Sequence, residues 1–237
     1  MEGRNISQNS LDIAFVGAHP DDEFLAAIAL WYNYKKGGKN YFFCATRGEK
    51  GKGTLYKKMS DEEMGRIREK EFYASCTYLG ARDARIFGFP DSMLALDPLN
   101  NELEKHIRAF LMETMPNIVI TFGPGGYTKH LDYITISDIT LRICRELGIP
   151  VLVITPPPNH ICPNFHDMIA AKANHGVYDR NAKDYEHNIH IYNSEEAKLE
   201  VIRHHATQQS IDPRRFNKDK LQAQYMLNNE YYRHIII

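Results

Sequence analysis

The chain has 237 residues and a hydrophobic fraction of 43%, which fit one sizeable α/β domain. Its 29 basic and 30 acidic residues give a formal net charge of −1 without a basic stripe, which disfavours nucleic acid as a partner. The polar N-terminus lacks the apolar core of a signal peptide, and no window reaches the roughly 18 apolar residues of a membrane span. We therefore expect a cytoplasmic protein with no membrane partner. Four widely spaced cysteines predict neither a disulfide framework nor a zinc–cysteine site.

Short apolar segments rich in β-branched and aromatic residues predict strands, and the segments between them predict helices. In chain order the predicted elements are strand DIAFVGA (12–18), a helix over 22–36, strand NYFFCAT (40–46), a helix over 60–80, strand ARIFGF (84–89), a helix over 101–115, strand NIVITFG (117–123), a helix over 132–147 and strand VLVIT (151–155). Gly37 and Gly38 end the first helix because glycine adopts the left-handed capping conformation. Ser60 and Glu63 have the spacing of a capping box.

The last third of the chain has a weaker pattern. It predicts irregular cover over one edge of the sheet from about 159 to 192, helices over about 194–209 and 219–227, and an edge strand in the final HIII (234–237). We expect a single domain over 1–237, with its core over about 11–155 and the cover and C-terminal helices over about 156–237.

Strands that alternate with helices predict parallel pairing through right-handed crossovers. The predicted fold is a Rossmann-like three-layer α/β sandwich with a mostly parallel sheet. Ligands of such sheets bind at the carboxyl ends of the strands. A polar cluster follows each of the five predicted strands: HPDDE (19–23), TRGE (46–49), PDS (90–92), GPGGYTKHLD (123–132) and PPPNH (156–160). These clusters should meet at one edge of the sheet, where we expect a metal site.

The segment AHPDDE (18–23) places one imidazole and three carboxylates directly after the first strand. Zinc commonly binds imidazole nitrogen and carboxylate oxygen with one position open for water. His19 and Asp22, three residues apart across a strand-to-helix turn, are therefore candidate ligands. Asp21 is a candidate general base that takes a proton from the water. The alternative is that the three acids occupy the first turn of a helix, where negative charge is favourable.

The second cluster, TFGPGGYTKHLDYITIS (121–137), combines a glycine-rich turn with His130 and Asp132 at the start of a helix. An imidazole there could polarise a carbonyl or protonate a leaving amine. The alternatives are a phosphate-binding turn and a simple loop with a surface histidine. Because the glycine spacing matches neither a dinucleotide fingerprint nor a P-loop, we expect no nucleotide cofactor. Tyr127, within the turn, is a candidate lid of the substrate pocket, and the alternative is a tyrosine that simply packs against the protein.

Several motifs together resemble the LmbE-like, PIG-L-type N-acetylglucosaminyl deacetylases, in one consistent order: AHPDDE (18–23), TRGEKG (46–51), REKE (68–71), FPDS (89–92) and TFGPGGYTKHLD (121–132). The resemblance spans about 12–155, and His205 to Gln208 echo a further family motif. It implies a hydrolase, dependent on Zn or another divalent metal, that removes the acetyl group of an N-acetylated amino sugar or sugar conjugate. The implied partner is a small-molecule amino-sugar substrate, and a homo-oligomer is compatible with it.

The resemblance also assigns roles to individual residues. It implies that His19 and Asp22 are metal ligands and that Asp21 is the general base. It implies that His130 stabilises the tetrahedral intermediate and helps the amine leave. The residues that it implies around the substrate are Arg47, Glu49, His205 and Asp132, the last of which would also orient the neighbouring histidines or the metal site.

One position departs from the family pattern. The third ligand of the family is the last histidine of His-Pro-Asp-His, and this chain has Tyr133 there. A phenol, with an unperturbed pKa of about 10, is a poor zinc ligand at neutral pH. Three outcomes stay open. The site is completed by another histidine, Tyr133 binds as a phenolate, or the chain binds a sugar without hydrolysing it. The candidate histidines are His130 itself and, from the cover, His160, His166 and His175.

Overall fold

All five predicted strands form, and they belong to one seven-stranded sheet. The computed structural model describes residues 10–158, 187–192, 196–208, 212–216 and 220–235. The strands are β1 (Asp12–Gly17), β2 (Lys39–Thr46), β3 (Ala81–Phe89), β4 (Ile118–Phe122), β5 (Val151–Thr155), β6 (Ile189–Tyr192) and β7 (Asn229–Ile235). The α-helices are α1 (Ala27–Lys35), α2 (Asp61–Tyr78), α3 (Leu99–Thr114), α4 (Leu131–Leu147), α5 (Glu196–His204), α6 (Pro213–Phe216) and α7 (Lys220–Asn228). Short 3₁₀ helices occupy Asp22–Ala26 and Thr54–Tyr56.

The strand order is β3-β2-β1-β4-β5-β7-β6. The first five strands run parallel, β7 is antiparallel to β5, and β6 is antiparallel to β7. Helices cover both faces of the sheet, with α1 and α2 packed against α5 and with α3 packed against α4. The predicted α/β class with a mostly parallel sheet is confirmed. The order reverses between β1 and β4, and such a switch point is where open α/β sheets bind ligands.

The central strands are mostly apolar because both faces of the sheet are covered. Their largest side chains are fully buried between the helical layers: Phe15, Phe42, Phe43 and Phe122. Cys44, Cys76 and Cys144 are buried free thiols within this interior, and Cys162 lies outside the described residues. Among the described helices, none is long and apolar enough to cross a bilayer.

The first predicted helix begins differently from the expectation. The chain makes a 3₁₀ turn over Asp22–Ala26 before α1 begins. The break is stabilised from the far end of the chain, because the Glu230 carboxylate on β7 accepts hydrogen bonds from the amides of Ile28 (2.8 Å) and Ala29 (3.0 Å). Because the acceptor Glu230 is about 200 residues away in the chain, the sequence around α1 does not reveal it. The predicted capping box of Ser60 and Glu63 at the start of α2 is confirmed.

The prediction of an edge strand in HIII is wrong about the position of the strand in the sheet and about the residue at which it begins. The strand is β7, which begins at Asn229 and lies between β5 and β6, so the outer position belongs to β6. The last two residues, 236–237, lie outside the described residues, as does the predicted cover except for 187–192. The two predicted C-terminal helices form as α5, which is shorter than predicted, and as α7, which matches its predicted range to within one residue. The sheet therefore uses residues well beyond 155.

Asn40 is a fully buried polar residue that connects two helices. Its Nδ2 donates to the carbonyl of Leu30 in α1 and to that of Leu79 at the end of α2, each at 2.7 Å. Its Oδ1 accepts a hydrogen bond of 2.9 Å from Asn33 Nδ2. The side chain thus satisfies buried groups on α1 and at the end of α2 while it lies on β2.

We expect Asn40→Ala to lower the free energy of unfolding by about 2–3 kcal/mol, because it leaves buried polar groups without a hydrogen-bond partner. Urea denaturation followed by circular dichroism measures this change. Asn101→Ala, on the exposed surface of α3, is the matched control and should stay within about 0.5 kcal/mol of the wild type. Equal stability of the two variants would contradict the role given to Asn40.

Candidate active site

The turn that follows β1 holds Asp21 in an unusual backbone conformation. Its φ of 107° and ψ of −16° are left-handed, which costs a non-glycine residue free energy unless its surroundings hold it. Glu23 Oε2 accepts the Asp21 amide hydrogen at 3.1 Å. Asp22 Oδ2 accepts the amide hydrogens of Ala18 and His19, both at 2.8 Å. The carboxylates of AHPDDE therefore stabilise the turn through hydrogen bonds with its backbone amides, in addition to giving it negative charge.

Arg68 supports the same turn from α2. Its buried guanidinium lies 3.2 Å from Asp21 Oδ1 and donates to the carbonyl oxygen of Pro20. It also donates to the carbonyl of Gly48 at 2.5 Å. A Cβ atom on Gly48 or Gly51 would overlap this guanidinium, and Gly48 also has a positive φ. The glycines of TRGEKG thus make room for Arg68, a residue to which the sequence motif REKE had given no role.

His19 lies at the centre of the carboxylate cluster. Its Nε2 is 3.0 Å from Asp132 Oδ2 and 3.2 Å from Asp91 Oδ1, and its Nδ1 is 3.9 Å from Asp22 Oδ2. Burial alone would lower the pKa of His19, but the hydrogen bonds to Asp132 and Asp91 raise it to about 10. The surrounding carboxylates therefore favour a protonated imidazole, which offsets the repulsion between them. A divalent cation bound here would take the place of that proton, because a ligand imidazole must be neutral.

Asp132 anchors this cluster from the start of α4. Its carboxylate is fully buried and accepts the amide hydrogens of Ser92 (2.8 Å) and Leu94 (3.1 Å) as well as the contact from His19. This placement makes Asp132 a support for His19 and for the loop after β3. Among the described residues, those that line the pocket do not include Asp132, and its contact with substrate stays a prediction.

Three side chains bring potential metal ligands together. One donor atom each from His19, His130 and Asp132 lies within 4.8 Å of the others, a group found among the described residues. Two imidazoles and a carboxylate are donor types that zinc and other divalent cations bind. The donor set therefore fits a divalent cation. The donor that His130 contributes matches one of the outcomes that the sequence left open.

Tyr133 occupies a different role from that of a ligand. Its hydroxyl hydrogen bonds to the Asp22 carboxyl, and burial raises the pKa of this tyrosine well above 10. Burial therefore favours a neutral phenol, and the phenolate ligand stays an open prediction. Burial also raises the pKa of Asp22, to about 7. The structure places Asp22 beside the three-residue donor group and not within it, so its predicted role as a ligand stays a prediction. The cover histidines His160, His166 and His175 lie outside the described residues.

An open pocket of about 260 Å³ lies above the cluster. Four of the predicted site residues line it: His19, Asp21, His130 and Tyr133. The sequence had given no role to most of the others, which are Lys50, Gly51, Arg68, Asp91, Ser92 and Gln208. A polar pocket with two carboxylates, two imidazoles and a guanidinium can bind a polar small molecule and move a proton within it.

The other predicted substrate contacts lie outside the pocket lining. Arg47 pairs with Glu69 at 3.2 Å on the surface. Glu49 stands behind the lining, where its Oε1 accepts the amide hydrogen of Asp91 at 2.8 Å. Tyr127 is buried in the hydrophobic core, a position that does not suit a lid. His205, which directly follows α5, is fully buried and contacts Glu23 in the turn after β1.

Asp21 combines burial with one close cation. Burial raises the pKa of its carboxyl above the ordinary value, and the Arg68 guanidinium lowers it. Burial makes the carboxylate a stronger base, and the cation limits that effect. A carboxylate with this environment at a pocket wall suits proton transfer.

A comparison with protein-family profiles covers most of the residues that form this site. The profile of the PIG-L family, described as GlcNAc-PI de-N-acetylase, matches residues 14–144, which is more than half of the chain. The chain belongs to the PIG-L family. The matched region contains the turn with Asp21, the donor group and Arg68, while His205 and Gln208 lie beyond it.

Relatives of the PIG-L chain include proteins named as deacetylases. A probable N-acetyl-α-D-glucosaminyl L-malate deacetylase 2 of Bacillus anthracis is 33% identical over 129 residues, which are 53% of this chain and 56% of the relative. The chain spans about half the length of the curated relatives it matches.

Solved structures share the fold at low sequence identity. The N,N'-diacetylchitobiose deacetylase of Pyrococcus horikoshii has a TM-score of 0.62 at 18% identity, covering 95% of this chain and 84% of its own. The 4-carboxy-2-hydroxymuconate hydratase GalB of Pseudomonas putida has a TM-score of 0.68 at 14% identity, covering 95% and 97%. One fold therefore hosts a deacetylase and a hydratase, so the reaction must be argued from the site.

We expect His130→Ala to weaken the binding of Zn²⁺ by at least about tenfold, because it removes one of three donors. Equilibrium dialysis against trace zinc, with elemental analysis of both compartments, measures the affinity. His106→Ala is the matched control, since its ring packs against Phe87 and Phe89 away from the pocket. Unchanged affinity in His130→Ala would exclude this imidazole from the site.

Proposed function

We propose that this chain is a hydrolase that removes the acetyl group from an N-acetylated amino sugar or sugar conjugate. The observation that carries the proposal is the placement of Asp21 on the same pocket wall as His19 and His130. The deacetylase names among the relatives support it. Because a hydratase has the same fold, the fold alone does not identify the reaction, and the proposal depends on the site residues.

In this proposal Asp21 is the general base. Its carboxylate takes a proton from the attacking water and then delivers that proton to the departing amine, so one group serves both halves of the reaction. Arg68, 3.2 Å from Asp21 Oδ1, keeps the carboxylate aimed at the pocket and stabilises its charged form. The left-handed backbone of Asp21 fixes the direction from which the side chain enters.

His19, His130 and Asp132 would hold the divalent cation, and zinc is the first candidate because of the donor types. When bound, the cation would supply a Lewis acid at this end of the pocket. His130 Nδ1 accepts the Asp132 amide hydrogen at 3.2 Å. Binding a cation and protonating an amine would then both fall to Nε2, which cannot do both at once. We therefore assign the proton delivery to Asp21 and the ligand role to His130.

The main alternative is a protein that binds an acetamido sugar without hydrolysing it. The observation that favours it is the neutral Tyr133 hydroxyl bonded to Asp22, which ties up a carboxylate beside the donor group. The alternative predicts saturable binding of N-acetylglucosamine conjugates with no release of acetate. Incubation of the wild type and zinc with N-acetylglucosaminyl malate and with N,N'-diacetylchitobiose, followed by an acetate assay, separates the two functions.

We expect Asp21→Asn to lower kcat for acetate release by about 10²–10⁴-fold, because the variant loses the base. Asparagine also tolerates the left-handed backbone, so the turn should be kept. Zinc content should stay at the wild-type level. Asp138→Asn, on the exposed side of α4, is the control and should retain full activity. Wild-type turnover by Asp21→Asn would remove Asp21 from the mechanism.

A further inference from the structure

A buried ion pair joins the C-terminal part of the chain to the turn that carries Asp21. His205 Nε2 lies 2.5 Å from Glu23 Oε1, and both side chains are fully buried. The two residues are 182 positions apart in the sequence. His205 directly follows α5, on the face of the sheet where α5 packs against α1 and α2.

The Glu23 carboxylate uses both of its oxygens. Oε1 accepts from His205, and Oε2 accepts the Asp21 amide hydrogen at 3.1 Å. The contact with His205 therefore fixes the rotation of the carboxylate that holds Asp21. Among the described residues His205 is the basic side chain paired with Glu23, and its removal would leave a buried charge without that partner, which is a costly arrangement.

The segment that carries His205 is itself anchored to the site. The Thr207 amide and hydroxyl donate to Glu71 at 2.9 and 2.5 Å. Gln208 Nε2 donates to the carbonyl of Gly51 at 2.7 Å, and Gln208 lines the pocket. His205 is therefore presented to Glu23 from a fixed position.

We propose that His205 is a positioning residue: it orients Glu23, which holds the left-handed backbone of Asp21 and so aims that carboxylate at the pocket. This role replaces the substrate contact predicted from the sequence, because a fully buried side chain cannot touch a ligand in the pocket. The inference rests on the proposed function of Asp21 as the base.

The most direct test is hydrogen exchange at the Asp21 amide in the full chain, measured by NMR. We expect the wild-type amide to exchange far more slowly than an unstructured peptide, because it is hydrogen-bonded to Glu23. His205→Leu should raise the exchange rate of this amide by at least about tenfold. It should also lower kcat by about 10²-fold while KM changes by less than about twofold, because the base is misplaced while the pocket is kept.

Two further variants separate positioning from general destabilisation. His205→Gln can still donate a hydrogen bond to Glu23 and should recover much of the lost amide protection and kcat. His204→Leu changes the neighbouring residue, which contacts Glu200 and the Tyr78 ring instead, and should behave as the wild type at the Asp21 amide.

An unprotected Asp21 amide in the wild type would overturn the inference, and that result requires no variant to fold. A folded His205→Leu protein with wild-type exchange and kcat would also overturn it. If the wild type releases no acetate but its Asp21 amide is protected through His205, the hydrogen-bonded chain stands and the deacetylase function fails. If acetate is released and the amide is unprotected, the function stands and the positioning role fails.

Discussion

The left-handed backbone of Asp21 is the constraint on which the rest of the site depends. For a residue other than glycine, this backbone conformation costs free energy of the order of 1–3 kcal/mol, so the surroundings must supply contacts that offset the cost. Arg68 supplies them from α2, and Glu23 supplies them from the 3₁₀ helix. The strained turn at the end of β1 persists because separate elements of the fold converge on it.

The same contacts explain how so many acids lie together. Four of the five carboxylates lie next to a basic side chain: Asp21 contacts Arg68, Glu23 contacts His205, and Asp91 and Asp132 share His19. Asp22 is instead satisfied by backbone amides and Tyr133. The like charges do not share one surface that faces water. They form a set of buried pairs, and the donor group next to them fits a divalent cation.

The sequence was sufficient for the elements that depend on local pattern. Alternating apolar and amphipathic segments predicted β1 to β5 and α1 to α4, and AHPDDE marked the turn that carries Asp21. The resemblance to the PIG-L deacetylases pointed to the family that the profile comparison then showed. These predictions succeeded because hydrophobic periodicity, capping residues and the order of motifs are local features of the sequence, which do not depend on contacts between distant residues.

The remaining features depend on contacts between distant residues. Arg68 and Glu71 stand three positions apart and so lie on one helix face, but only the packing shows that Arg68 reaches Asp21. Asp22 and His130 were both candidate ligands, and only the fold shows that His130 lies in the donor group with His19 and Asp132 while Asp22 lies beside it. Spacing alone could not place Glu230 at the start of α1 or His205 beneath Glu23.

The measurement that tests the central claim most directly is anomalous diffraction from a crystal of the full chain soaked in zinc, with data collected above and below the zinc absorption edge. The account predicts one strong anomalous peak within bonding distance of the His19 and His130 imidazoles and the Asp132 carboxylate, beside Asp21. Zinc bound only elsewhere, or no peak at this cluster at saturating zinc, would contradict the assignment of a cation site next to the base.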